Sequence, residues 1–169
     1  MNYTLLVMLS VAYLQAASAI NSLQANFIQN INTDGVNMKY EGVLYVNADS
    51  RAYWRYDKPV IKEIYINKDK ITVYEPDSKQ VMISNNENIN FIKILRDMKQ
   101  NGNHLTSILD GITFNITLKD NKPRKIEYID KLDNKMSITL SNVSINGKID
   151  DSIFDAKIPE DAEIIMNNR

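Results

Sequence analysis

Cysteine is absent from all 169 residues, so a disulfide scaffold, a thiolate zinc site and a cysteine nucleophile are excluded. Histidine occurs once, at His104, in a stretch flanked by Asn and Gly; catalysis by that imidazole would need a nucleophile and an orienting carboxylate that the sequence does not supply. The five glycines stand apart, and no G-x-G-x-x-G, P-loop, G-x-S-x-G or H-E-x-x-H is present. Lys and Arg number 20 against 21 Asp and Glu, for a net charge of −1, and they form no basic stripe, so nucleic-acid binding is not expected. With 44% hydrophobic and 24% charged residues, the chain is neither disordered nor fibrous, and its length suits one domain. Ile and Asn are abundant, which points to strands and turns.

Residues 1–19 differ in kind from the rest. They hold no Asp, Glu, Lys or Arg, run apolar from Leu5 to Leu14, and end in the small residues Ala17-Ser18-Ala19. That apolar core is too short to span a bilayer and has the length of a signal-peptide h-region. The reading is export with cleavage after Ala19, leaving 20–169 as a single domain in the periplasm of a diderm bacterium.

Downstream the dominant period is two. Ile112–Lys119 alternates four apolar with four polar residues, and Met136–Ser141 repeats the pattern. In Arg51–Tyr56, Ala52, Trp54 and Tyr56 share one side and both arginines the other. Further strands are predicted at 23–31, 38–47, 62–67, 70–75, 80–84 and 123–130, with turns at Asp34-Gly35, Asn67-Lys68-Asp69, Glu75-Pro76-Asp77-Ser78 and Asp120-Asn121-Lys122-Pro123. One dry and one wet face per strand is the antiparallel pattern. The Lys/Glu alternation at 62–67 and 123–130 reads as a solvated outer face. In 89–99, Phe91, Ile94, Leu95 and Met98 fall at helical spacing, with Asn86 or Asn88 as N-cap and Gly102 closing the helix. Leu105, Ile108 and Leu109 suggest a second short helical turn. The plan is six strands, a helical excursion, three strands and a tail: a curled sheet of eight or more strands with a helix over its concave face.

Asp130 with Asp133, and Asp150 with Asp151, sit where turns need Asp and lack EF-hand spacing, so no metal site is expected and no cofactor is implied. What remains is a concentration of apolar and aromatic side chains on one parity: Phe27, Leu44, Trp54, Tyr56, Ile64, Ile66, Phe114, Ile116, Tyr128, Ile138 and Leu140. They would form either a filled barrel core or the wall of a cavity for an apolar ligand, and periodicity does not separate the two.

Residues from about 23 to 165 resemble the periplasmic outer-membrane lipoprotein carrier family, LolA. The likeness rests on Leu23-Gln24-Ala25-Asn26-Phe27-Ile28-Gln29, on Glu41-Gly42-Val43-Leu44-Tyr45-Val46 and on Tyr53-Trp54-Arg55-Tyr56-Asp57-Lys58-Pro59. It continues through Ile71–Val81 and the closing Asp151–Ala162, all in the family's order. The resemblance implies a mainly β chain with a few helices (α+β), folded as an unclosed antiparallel β-barrel with a helical lid over an apolar cavity. It implies no enzymatic activity, but binding of the acyl chains of lipoproteins. Cargo would come from an inner-membrane lipoprotein-releasing ABC transporter and pass to an outer-membrane lipoprotein acceptor where one exists. Trp54, Phe27 and Leu44 match the family's strand positions, and Phe91 and Leu95 on the candidate lid complete the expected acyl-binding set. A monomer is expected.

Two departures stand out. Family members carry Arg-Pro where this chain has Ala48-Asp49, so the arginine that holds the lid is missing or replaced by Arg51 or Arg55. Cleavage after Ala19 would also leave almost nothing of the family's first helix. Two other readings are a periplasmic module of the same half-barrel that senses lipid or lipoprotein, and a hydrolase centred on His104.

Overall fold

The computed structural model describes residues 20–49, 51–67, 70–85, 98–109 and 111–167. The expected signal peptide at 1–19, the turn residues Lys68-Asp69 and most of the expected lid helix, with Asn86, Asn88, Phe91 and Leu95, lie outside the described residues.

Among the described residues twelve strands form one sheet. They are β1 (Ser22–Thr33), β2 (Val36–Asn47), β3 (Ala52–Lys58), β4 (Lys62–Asn67), β5 (Lys70–Glu75), β6 (Gln80–Asn85), β7 (Lys99–Asn101), β8 (His104–Leu109), β9 (Ile112–Lys119), β10 (Lys122–Ile129), β11 (Lys135–Ile145) and β12 (Glu163–Asn167). Their spatial order is β12-β6-β5-β4-β3-β2-β1-β11-β10-β9-β8-β7. Every pairing is antiparallel except that of β12 with β6. All nine expected strands are present, several longer than expected.

Tight hairpins follow from local chemistry. Asp34 and Gly35 both have positive φ, 49° and 85°, and join Thr33 to Val36 in a two-residue turn whose twist matches the strands. Asp120 and Asn121, at φ 53° and 58°, do the same between Lys119 and Lys122.

The second helical turn is corrected. Leu105, Ile108 and Leu109 belong to β8, which pairs along its whole length with β9. Period two is visible there too, with Leu105 and Ser107 buried and Ile108 71% exposed. Lys99 opens β7 instead of ending a helix, and Gly102, at φ 60°, makes the β7–β8 turn rather than a helix C-cap. Thr106, Ile108 and their ladder to β9 outweigh three apolar residues at helical spacing.

A wet outer face at 62–67 is also corrected: Tyr65, Thr72, Tyr74 and Val81 are buried on the side away from Trp54. The closing segment lies against this side. A 3-10 helix at Asp151–Phe154, capped by the Asp150 carboxylate accepting from Ser152 N at 2.9 Å, packs against β3 and β4 and buries Phe154 completely. Asn67 Nδ2 donates to Phe154 O at 3.4 Å, and β12 then adds to the β6 edge, its Glu163 N donating to Lys79 O at 2.8 Å.

Candidate functional site

The sheet curls on itself. Ile71 and Val73 of β5 share one cavity with Phe114 and Ile116 of β9, although six strands stand between them in the sheet order. At about 4.8 Å per strand, a flat sheet would hold them roughly 34 Å apart. The two edges, β12 and β7, are not joined, so among the described residues the barrel is open.

The cavity has a volume of about 530 Å³, within the range of small-ligand sites. Its wall carries Leu44, Trp54, Tyr56, Ile64, Ile66, Phe114, Ile116, Tyr128, Ile138 and Leu140 from the inward parity, joined by Leu23, Gln29, Val46, Ile71, Val73, Ile112, Pro123, Ile126 and Lys131. Phe27 is not on that wall. It lies beneath it, 2% exposed, with its ring edge-on to Trp54 at 5.1 Å and to Tyr56 at 5.2 Å. Ile71, Val73 and Ile126 share the inward parity and were readable as such; Gln29 and Lys131 were missed because a search for apolar residues passes over them.

Polar groups gather at one end. Tyr56 Oη donates to Gln29 Oε1 at 2.8 Å, and the Tyr40 ring packs edge-on against Tyr56 at 5.6 Å. Burial raises the Tyr56 phenol well above its ordinary value, with Tyr128 and Tyr40 adding to the shift. Burial also raises the Tyr128 phenol, whose ring lies 4.8 Å from Phe114. Among the described residues Lys131 is the only charged one on the wall, and it is exposed.

The residues weighed for other chemistry are engaged elsewhere. His104 is an exposed residue opening β8, paired in register with Thr117 and Asn101. The Asp130 carboxylate accepts from Leu132 N, Asn134 N and Asn134 Nδ2, each at 2.9 Å, and these bonds hold it below its ordinary pKa. Arg51 pairs with Asp49 at 2.6 Å and Asp151 at 2.8 Å and covers the Phe154 ring at 4.8 Å, so it fastens the closing segment. Arg55 pairs with Asp57 at 2.8 Å, on the face opposite Trp54. No group of three or more metal-ligating side chains occurs among the described residues. A second hollow, of about 570 Å³, lies where Asn30, Asn32, Asn37, Asn115 and Ser137 gather, and its two charged residues, Glu127 and Lys135, do not pair with each other.

Residues 18–106 match the model of the outer membrane lipoprotein carrier protein family, LolA. A protein of Helicobacter hepaticus named outer-membrane lipoprotein carrier protein is 36% identical over 151 residues, covering 86% of this chain and 84% of its own. One of the same name from Campylobacter jejuni is 35% identical over 147 residues, covering 86% of each chain. The chain belongs to the LolA family. Its fold is shared, at TM-score 0.56 and 12% identity, by the crystal structure of an uncharacterized conserved protein from Thermus thermophilus, covering 94% of this chain and 99% of the other. In this LolA-family chain Ala48 lies at the turn after β2, where its N donates to Asn47 Oδ1 and Asn21 O, both close at hand at 2.8 and 2.7 Å. No helix among the described residues is long and apolar enough to cross a membrane.

Proposed function

We propose that this protein is a periplasmic chaperone that takes the acyl chains of lipoproteins into its cavity and carries them from the inner to the outer membrane. The observation that carries the reading is the 530 Å³ hollow on the concave face of the sheet, lined almost wholly by aliphatic and aromatic side chains, in a chain of the lipoprotein carrier family. Phe91 and Leu95, which lie outside the described residues, would belong to the same acyl-binding set.

The energetics suit a carrier. Removing an acyl chain of about 16 carbons from water is worth roughly 12 kcal/mol at ~0.8 kcal/mol per methylene. A chain that leaves a bilayer gives up a similar amount, so transfer into this cavity is near balance and release remains feasible. The sequence carries no nucleotide-binding motif, which fits loading by an ATP-driven inner-membrane transporter and delivery to an outer-membrane acceptor. Binding, not catalysis, is the activity.

Residues 1–19 would direct export and be removed after Ala19. Ile20 is buried in the core with Leu23, so cleavage there would leave the core whole. The working form would be a monomeric single domain, 20–169.

Native mass spectrometry of mature 20–169 protein, before and after mild delipidation, tests the reading. Retained mass matching acylated peptide or lipoprotein, lost in Trp54→Lys, supports it. A mass that stays that of the bare protein after incubation with diacyl or triacyl lipopeptide would overturn it.

A further inference from the structure

Resting on the acyl-carrier reading, we infer that the Gln29 amide, oriented by Tyr56, reads the carbonyl at the head of a bound acyl chain, so that ligands seat with their tails toward Leu23 and Ile71.

Gln29 breaks a pattern. The inward residues of β1 before it are Leu23, Ala25 and Phe27, all buried and apolar, and Gln29 follows on the same parity with only 5% exposure. A buried amide costs free energy unless both its ends are hydrogen-bonded. Tyr56 serves Oε1 at 2.8 Å. The NH₂ end has no hydrogen-bond partner among the described residues, and Gln29 is on the cavity wall. That NH₂ is not fully buried, so it is reachable from the space Gln29 lines, and the group it suits there is an acceptor that arrives with an apolar ligand.

Orientation follows from register. Leu23, Val46, Ala52, Ile66 and Ile71 form one row across five strands, with no polar side chain in it. Gln29 lies six residues further along β1, which at about 3.3 Å per residue is roughly 20 Å away. A hydrocarbon tail can satisfy only the apolar row, while an ester or amide carbonyl gains at Gln29. Tyr128 and the exposed Lys131 stand at the same polar end, leaving the rest of the head group toward solvent.

The acyl ester linkage occurs both in lipoproteins and in phospholipids, so the test uses both. Affinities of mature protein are measured for a diacyl lipopeptide and for dipalmitoyl phosphatidylglycerol, each against its dialkyl-ether analogue, which lacks the carbonyls. The expected result is a preference for ester over ether of roughly threefold to tenfold in wild type, erased in Gln29→Leu and reduced in Tyr56→Phe, the readout being the ester-to-ether ratio within each variant. Thermal unfolding confirms that each variant folds; Tyr56→Phe keeps the ring and its packing, so it remains informative if Gln29→Leu does not fold. Equal affinity for ester and ether in wild type, or equal loss of both in the variants, would overturn the inference. Preference in the phospholipid series alone keeps the carbonyl contact and overturns lipoprotein as its source. Wild type that binds none of the four ligands overturns the carrier reading itself.

Discussion

The ring of Phe27 occupies the space that Gly42 leaves by having no side chain. The two residues face each other across β1 and β2, and a Cβ built on Gly42 would lie 2.9 Å from Phe27 Cε1 and 1.9 Å from the backbone oxygen of Arg55. A carbonyl oxygen in a ladder cannot rotate away as a side-chain tip can. Gly42 also sits where the β2–β3 register shifts, so the bulge, the glycine and the aromatic floor of the cavity are one arrangement.

Gly42→Ala should therefore lower stability by about 1–3 kcal/mol, through forced movement of β3 rather than through helix or turn propensity. Thermal unfolding of wild type and variant checks this, with a drop in Tm of several degrees expected. An unchanged Tm would mean that the bulge yields at no cost. Gly35→Ala is the control, since nothing lies within 4 Å of its added methyl and only the positive φ of 85° opposes it.

A second prediction separates packed wall from hollow wall. Leu140 is 1% exposed and belongs to the core cluster as well as the cavity lining, so Leu140→Ala should cost about 2–5 kcal/mol. Val73 lines the cavity only half-buried and already lacks neighbours on one side, so Val73→Ala should cost under about 1 kcal/mol. Chemical denaturation of both measures the difference. Equal costs would indicate that the cavity closes on itself in solution.

Most of this architecture was legible. Alternation at Ile112–Lys119 and Ala52–Tyr56 gave the strands and the inward side chains, because side-chain period in a strand is fixed by the backbone. β12 was not legible, since Ile164, Ile165 and Met166 are exposed and carry no alternation; the strand exists because β6 offers an open edge. Tyr65 was misread for a related reason. Its strand packs against the segment that carries Phe154, almost ninety residues further on, and no local pattern encodes that contact. Gln29 was passed over because a polar residue on an apolar parity reads as noise until its partner is seen.

The closing segment provides a third prediction. Phe154 is fully buried, so Phe154→Ala should cost about 3–5 kcal/mol. Arg51→Ala should cost far less, about 1 kcal/mol or below, because its ion pairs are to exposed carboxylates and are screened by salt. Hydrogen exchange should show Phe154→Ala unprotecting the β6–β12 pair first. Loss of protection across β1 and β11 at the same time would show that the segment is part of the global folding unit and not a strap laid over it.

Alkaline pH gives the last prediction. Burial raises the phenols of both Tyr56 and Tyr65, the latter helped by its hydrogen bond to Glu63 at 2.7 Å, whereas an unfolded tyrosine ionises near pH 10. Below about pH 10 both states keep these phenols neutral, and their contribution to stability is fully present. As pH rises past that value the unfolded chain releases the protons while the folded chain holds them, so stability falls with each further step. Absorbance near 295 nm should therefore show exposed tyrosines titrating smoothly and a second group appearing only as the protein unfolds. Tyr56→Phe and Tyr65→Phe should each shift the alkaline unfolding midpoint upward, since each removes one group whose ionisation favours the unfolded state. A single smooth titration of all tyrosines near pH 10 in folded protein would place both hydroxyls in contact with solvent and overturn the buried Tyr56–Gln29 contact.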